Sequence, residues 1–197
     1  MFEWIVGVVE RTGYVGVAVL MFLENVFPPI PSELIMPLAG FASAKGDLQL
    51  SLVVLSGTAG AVAGAVFWYF VGLWFGTERL KRWADRHGRW ITLHPEEIDK
   101  ATRWFQGHAG RTVLAGRLVP AVRTLISVPA GVSGMSIGRF MVYSSLGTAL
   151  WSTLLACAGY LLEDQYSRVA GYVDPVSKFI LIALVAFYLY RVVTFRR

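Results

Sequence analysis

The chain has one cysteine, Cys157, inside an apolar run. No disulfide within the chain and no cysteine-based metal site can form. It has three histidines, His87, His94 and His108, all in one hydrophilic block. None accompanies a serine in apolar sequence, so no nucleophile and general base pair stands out, and an enzyme is disfavoured. No glycine-rich loop of the Walker type occurs, which argues against ATP as the driving force. No charged residue falls between Leu48 and Gly76. The start of the chain carries Glu3 and Glu10 and lacks a small-residue cleavage site before Pro28, so no cleavable signal is expected. Nothing calls for a cofactor or a metal.

What is present is apolar. Of 197 residues, 55% are hydrophobic, too many for one soluble domain. The expected fold is a single all-α integral membrane domain, 1–197. The net charge of +5 comes largely from a block at 77–111 between apolar segments. That placement fits the positive-inside rule and a cytoplasmic loop of an inner-membrane, multi-pass protein, not a nucleic-acid surface.

Residues 1–13 read as a short interfacial amphipathic helix. Tyr14 to Phe27 is about 14 residues, short of the roughly 20 needed to cross a bilayer. It runs into Glu24-Asn25-Val26-Phe27-Pro28-Pro29-Ile30-Pro31-Ser32-Glu33. Prolines there break a helix, and such backbone survives at membrane depth only when shielded. Leu34 to Ala44 returns, with Pro37 as a further break, giving a re-entrant hairpin at 14–44. Span 48–76 follows, with Gly57, Gly60 and Gly64 forming a small-residue face that allows close helix approach and a homodimer. In 77–111, Pro95-Glu96-Glu97 reads as a second helix start. Residues 112–162 repeat the pattern with the charge reversed: Arg117, Pro120, Arg123 and Pro129 in a second hairpin, then a span from Ile137. An outer loop and a last span fill 163–197, whose tail is cytoplasmic.

The two halves share markers, Pro37-Leu38-Ala39-Gly40 and Pro129-Ala130-Gly131, with Pro129 92 residues after Pro37. If 77–111 is inside, the first hairpin dips in from outside and the second from inside. That is an inverted repeat, an architecture of secondary transporters. The alternative is that 14–44 crosses once with a kink.

Meeting hairpin tips would set Glu24 and Glu33 against Arg117 and Arg123 near the midplane. Each such charge costs about 2.5–3.5 kcal/mol to insert, so the four must pair or be solvated. They are either salt bridges that pin the hairpins or a site for an anionic headgroup. Arginine binds phosphate bidentately and stays charged when buried. The four charges sum to zero; protonating one glutamate leaves +1 and admits an anion. Arg117 and Arg123 are thus the candidate phosphate ligands, and Glu24 and Glu33 the candidate proton-coupling groups. Ser32 and Ser127 are read as caps for broken backbone.

Glu24 through Gly40, together with Gly116-Arg117-Leu118-Val119-Pro120-Ala121-Val122-Arg123-Thr124, Pro129-Ala130-Gly131 and Met135, resembles the DedA family, also called the SNARE-associated or VTT-domain family, over roughly 10–195. The resemblance implies two opposed re-entrant hairpins and lipid transport across the bacterial cytoplasmic membrane, chiefly return of undecaprenyl phosphate. Some members look like phospholipid translocases or scramblases. The family's functional residues map onto Glu24, Glu33, Arg117 and Arg123; some members carry Asp at the position of Glu33. The implied partners are a polyprenyl phosphate or phospholipid and protons. Rival readings are a structural or assembly protein and an ion channel, the latter disfavoured by mixed charge signs.

Overall fold

The computed structural model describes residues 2–27, 32–91, 95–119 and 122–161. Among them are six helices: α1 (Phe2–Val26), α2 (Ser32–Ala44), α3 (Leu50–Ile91), α4 (Pro95–Arg117), α5 (Ser127–Val132) and α6 (Ile137–Leu161). The domain is all-α. Pro28, Pro29, Pro31 and Pro120, and the outer loop and last span of 163–197, lie outside the described residues.

Among the described residues, two helices are long and apolar enough to cross a membrane, Leu50–Arg82 and Ile137–Leu161. At 1.5 Å per residue the 25 residues of α6 reach about 38 Å, more than the roughly 30 Å of hydrocarbon. The polarity of α6 is turned inside out. Leu146, Leu150 and Leu154 are exposed, while Ser144, Thr148 and Ser152 are buried. Water would favour the opposite arrangement; a hydrocarbon surround favours this one.

Glycines set where the helices bend. Gly13 takes φ 56° within α1, separating a first helix, with Ile5 and Val9 buried, from a second that begins at Tyr14. The Tyr14 hydroxyl accepts a hydrogen bond of 2.9 Å from the Gln49 N–H, tying this bend to the start of α3. Gly76 takes φ 62° where the apolar run ends. The helix nevertheless continues to Ile91, past the end of the span expected at 48–76 and into the basic block. Helix α4 starts at Pro95, as its proline and following acids predict. It bends at His108 (φ −134°, ψ 17°), between Gly107 and Gly110, a break the sequence reading missed; Thr112 then returns its hydroxyl to the His108 carbonyl at 2.9 Å.

Pro37 is not a break. It lies inside α2, where its missing N–H leaves the Glu33 carbonyl without its helical donor. Pro129 sits in the first turn of α5, where an N–H is not required, so it too is carried within a helix.

Packing gathers the helices into two sets that meet along α3 and α6. Helix α3 carries α1 and α5; helix α6 carries α2 and α4. Glycine makes the tightest approaches. A β-carbon on Gly40 would overlap the Ala156 carbonyl of α6, and one on Gly159 the Pro37 carbonyl of α2. In the other set, Gly131 of α5 meets the Tyr69 carbonyl of α3 and Gly72 the Val128 carbonyl. Each interface is thus made by reciprocal glycines, where Cα–H···O contacts replace side-chain packing. Gly40→Ala and Gly131→Ala are each expected to cost about 1–3 kcal/mol through forced separation of backbones. Gly138→Ala, with open space at its β-carbon, is expected to be neutral or slightly stabilising. Thermal unfolding of the purified variants in detergent checks the contrast.

Candidate functional site

The site forms where the end of α1 and the start of α2 meet the end of α4 and Arg123. Glu24 and Asn25 lie in the last turn of α1, both buried. Trp68 of α3 donates its indole N–H to the Asn25 carbonyl at 3.0 Å, and the Asn25 Nδ2 donates to the Ala61 carbonyl at 2.9 Å. The end of α1 is therefore clamped on α3. Glu33 stands in the first turn of α2, where the helix dipole favours a carboxylate.

Arg117 is the last residue of α4. The chain then leaves the helix in tight turns, Leu118 N–H to Ala115 O and Val119 N–H to Gly116 O, before Arg123 N–H bonds back to Val119 O at 3.0 Å. Both arginines are buried, Arg117 at 2% exposure and Arg123 at 7%.

All four predicted residues come together, but their pairing is uneven. Arg123 Nη2 donates to Glu24 Oε1 and lies 3.7 Å from Glu33 Oε1. One guanidinium thus serves both acids. Arg117 forms no ion pair among the described residues. Its Nη2 donates to the Ser127 hydroxyl at 2.8 Å, and its guanidinium lies 5.9 Å from the Phe140 ring centroid. A buried cation held by a hydroxyl and an aromatic face retains capacity for an anion.

The expected capping roles of the serines are corrected. Ser127 accepts from Arg117, and the buried Ser32 hydroxyl has no hydrogen-bond partner among the described residues.

A small cavity of ≈ 10 Å³, the room of about one water, lies between the two helix sets. Met21, Glu24, Asn25 and Ala61 line it from one set; Arg117, Thr148, Trp151 and Ser152 from the other; Arg123 completes it. The sequence reading missed Asn25 and the three α6 residues. For Thr148 and Ser152 the signal was present in the spacing: with Ser144 they recur every four residues in an apolar span, placing three hydroxyls on one helical face. Among the described residues no cluster of three metal-binding side chains occurs.

Comparison with known proteins bears on this geometry. A model of the VTT domain matches residues 9–161. An "alkaline phosphatase-like protein" of Lactococcus lactis subsp. lactis (strain IL1403) is 38% identical over 93% of this chain and 86% of its own length. "Undecaprenyl phosphate transporter A" of Staphylococcus aureus (strain NCTC 8325 / PS 47) is 32% identical over 92% of this chain and 90% of its own. The Bacillus subtilis (strain 168) protein of the same name is 29% identical over 92% and 88%. No solved structure matches.

Proposed function

This chain belongs to the VTT-domain (DedA) family, and from that premise we propose that it is a proton-coupled flippase returning undecaprenyl phosphate across the bacterial cytoplasmic membrane. The observation that carries the reading is Arg117: a buried guanidinium with no carboxylate partner among the described residues, beside a cavity it shares with the Glu24–Arg123 pair. Two relatives of nearly full coverage are named for that lipid.

The proposed architecture is an inverted repeat with two opposed re-entrant hairpins. Support comes from lengths and from packing. The 13 residues of α2 reach about 20 Å, too short to cross. The arms of the two hairpins follow bends at Gly13 and His108. Gly131 lies 91 residues after Gly40, and the spans exchange partners, α2 packing on α6 and α5 on α3. The basic block 77–111 is placed in the cytoplasm on its charge.

In the proposed cycle, protonation of Glu24 releases Arg123 from its hydrogen-bonded acid and leaves Glu33 as its one charged neighbour. The four charges then sum to +1, and a phosphate binds between Arg117 and Arg123. The cavity is too small for a phosphate as it stands, so loading parts the α1–α3–α5 set from the α2–α4–α6 set. An acidic outer face promotes loading there; a less acidic interior removes the proton, restores the Glu24–Arg123 pair and expels the anion.

The reading is non-enzymatic. The name of the Lactococcus relatives raises phosphate hydrolysis, but the Ser127 hydroxyl is held by a guanidinium, which cannot take its proton as a general base must.

The test is flipping of labelled undecaprenyl phosphate in vesicles, beside labelled phosphatidylethanolamine, with and without a pH gradient. Expected is faster flipping of the prenyl phosphate when the loading face is acidic, and no pH dependence in Glu24→Gln and Glu33→Gln. Equal flipping of both lipids without regard to the gradient would convert the reading to a scramblase. Flipping of neither would leave a structural protein.

A further inference from the structure

The cavity shared by Glu24, Arg117 and Arg123 is also lined by Asn25, Thr148, Trp151 and Ser152, which the proposed cycle does not use. Among the described residues, Arg117 Nε, Arg123 Nε, Trp151 Nε1, Thr148 Oγ1, Ser152 Oγ and Asn25 Oδ1 are buried without a hydrogen-bond partner, and all six residues line the same cavity. Buried polar atoms are nearly always paired, so a cluster of six marks a place built to receive something.

Their chemistry is unequal. The two guanidinium Nε–H groups and the indole N–H can only donate. The hydroxyls of Thr148 and Ser152 donate or accept. Asn25 Oδ1 can only accept, and its orientation is fixed because the Nδ2 side of the same amide is spent on the Ala61 carbonyl. The wall therefore offers three obligate donors, two adaptable hydroxyls and one obligate acceptor.

We propose that Asn25, Thr148, Trp151 and Ser152 are the specificity-determining residues of the headgroup site, selecting a phosphate monoester that carries one P–OH over a phosphodiester. The proposal rests on the phosphate reading of Arg117 given above. A singly protonated monoester presents three terminal oxygens to the donors, and one of the three also carries the hydrogen that Asn25 Oδ1 accepts. A diester presents two terminal oxygens and no hydroxyl. Its second ester oxygen would face Asn25 Oδ1, acceptor against acceptor, and would leave donors of the wall unpaired. A site built to bond a hydroxyl rejects analogues lacking it, because its own buried groups are stranded.

The residues come from both helix sets, Asn25 from α1 and the other three from two turns of α6. The wall is complete only when the sets close around the headgroup. Discrimination is thus exercised at closure, by whether the ligand completes the hydrogen bonds, and not by the lipid tail.

The experiment compares two probes with one tail, hexadecyl phosphate and hexadecyl methyl phosphate, binding to the purified full-length protein in nanodiscs. At pH 5, below the second phosphate ionisation near about 6, both are monoanions and charge is matched. The parent protein should bind the monoester about tenfold or more tightly. Thr148→Val, Trp151→Phe and Ser152→Ala should each narrow that ratio by weakening the monoester while leaving the diester unchanged. Variants are compared at parental melting temperature. A parent protein that binds both probes equally overturns the proposal, whatever the variants do. So does a parental ratio preserved in the folded variants; in either case binding that still depends on Arg117 keeps the phosphate reading intact. Binding of neither probe, or binding indifferent to Arg117→Met, removes that reading and this inference with it.

Discussion

Arg117→Met should abolish transport of the phosphate lipid while leaving the protein at least as stable as the parent. The guanidinium is 2% exposed, hydrogen-bonded to one hydroxyl and stacked near one ring, with no carboxylate partner among the described residues. Burying such a charge is costly and its neighbours offset little of the cost. Methionine fills similar volume without charge and keeps contact with Phe140. The Ser127 hydroxyl loses a donor, at about 1 kcal/mol, less than the desolvation relieved. Transport should fall by about 30-fold or more, the factor for a charge-assisted bond worth about 2 kcal/mol. Arg117→Lys should recover only part of it, since an ammonium lacks the fork that grips two phosphate oxygens. Flipping rate at equal protein abundance, with melting temperature beside it, reads both effects. A marked fall in melting temperature with Arg117→Met would make Arg117 a structural pin and remove the ground for the proposed site.

How far the sequence reaches is clear from individual residues. Gly13 and Pro95 act locally, through backbone freedom and a missing donor, and a local rule finds each. The meeting of Glu24 and Glu33 with Arg117 and Arg123 follows from the expense of isolated charge in hydrocarbon, which forces opposite signs together. Which arginine serves which acid does not follow. That depends on the turn from Arg117 to Arg123, which carries Arg123 to both carboxylates and leaves Arg117 at Ser127. The bend at His108 is legible too, since Gly107 and Gly110 flank it and glycine weakens a helix interior, but charge and hydropathy alone do not separate it from the rest of the block. Pro37 misleads in the other direction: an interior proline reads as a break, yet α2 runs through it. The reciprocal glycines at Gly40 and Gly159, and at Gly131 and Gly72, are visible only as small residues until the partner carbonyls are placed against them.

Arg123→Gln should behave oppositely to Arg117→Met, lowering stability by about 3–5 kcal/mol, the usual cost of stranding one member of a buried ion pair. Arg123 is the hydrogen-bonded partner of Glu24 and the nearest cation to Glu33. Its loss leaves two acids facing each other at the junction of the helix sets, with Glu24 only 3% exposed. Adding Glu24→Gln should restore much of the loss, because two amides in place of the pair remove the stranded charge and can hydrogen-bond to one another. The coupling energy of this double-mutant cycle is the measurable quantity, and a value above about 1.5 kcal/mol identifies direct interaction. Transport should not return with stability. The double variant keeps Arg117 but has lost both the second phosphate ligand and the acid whose protonation admits the anion. Additive stability effects, or a double variant that transports at the parental rate, would each dissociate the Glu24–Arg123 pair from the coupling assigned to it.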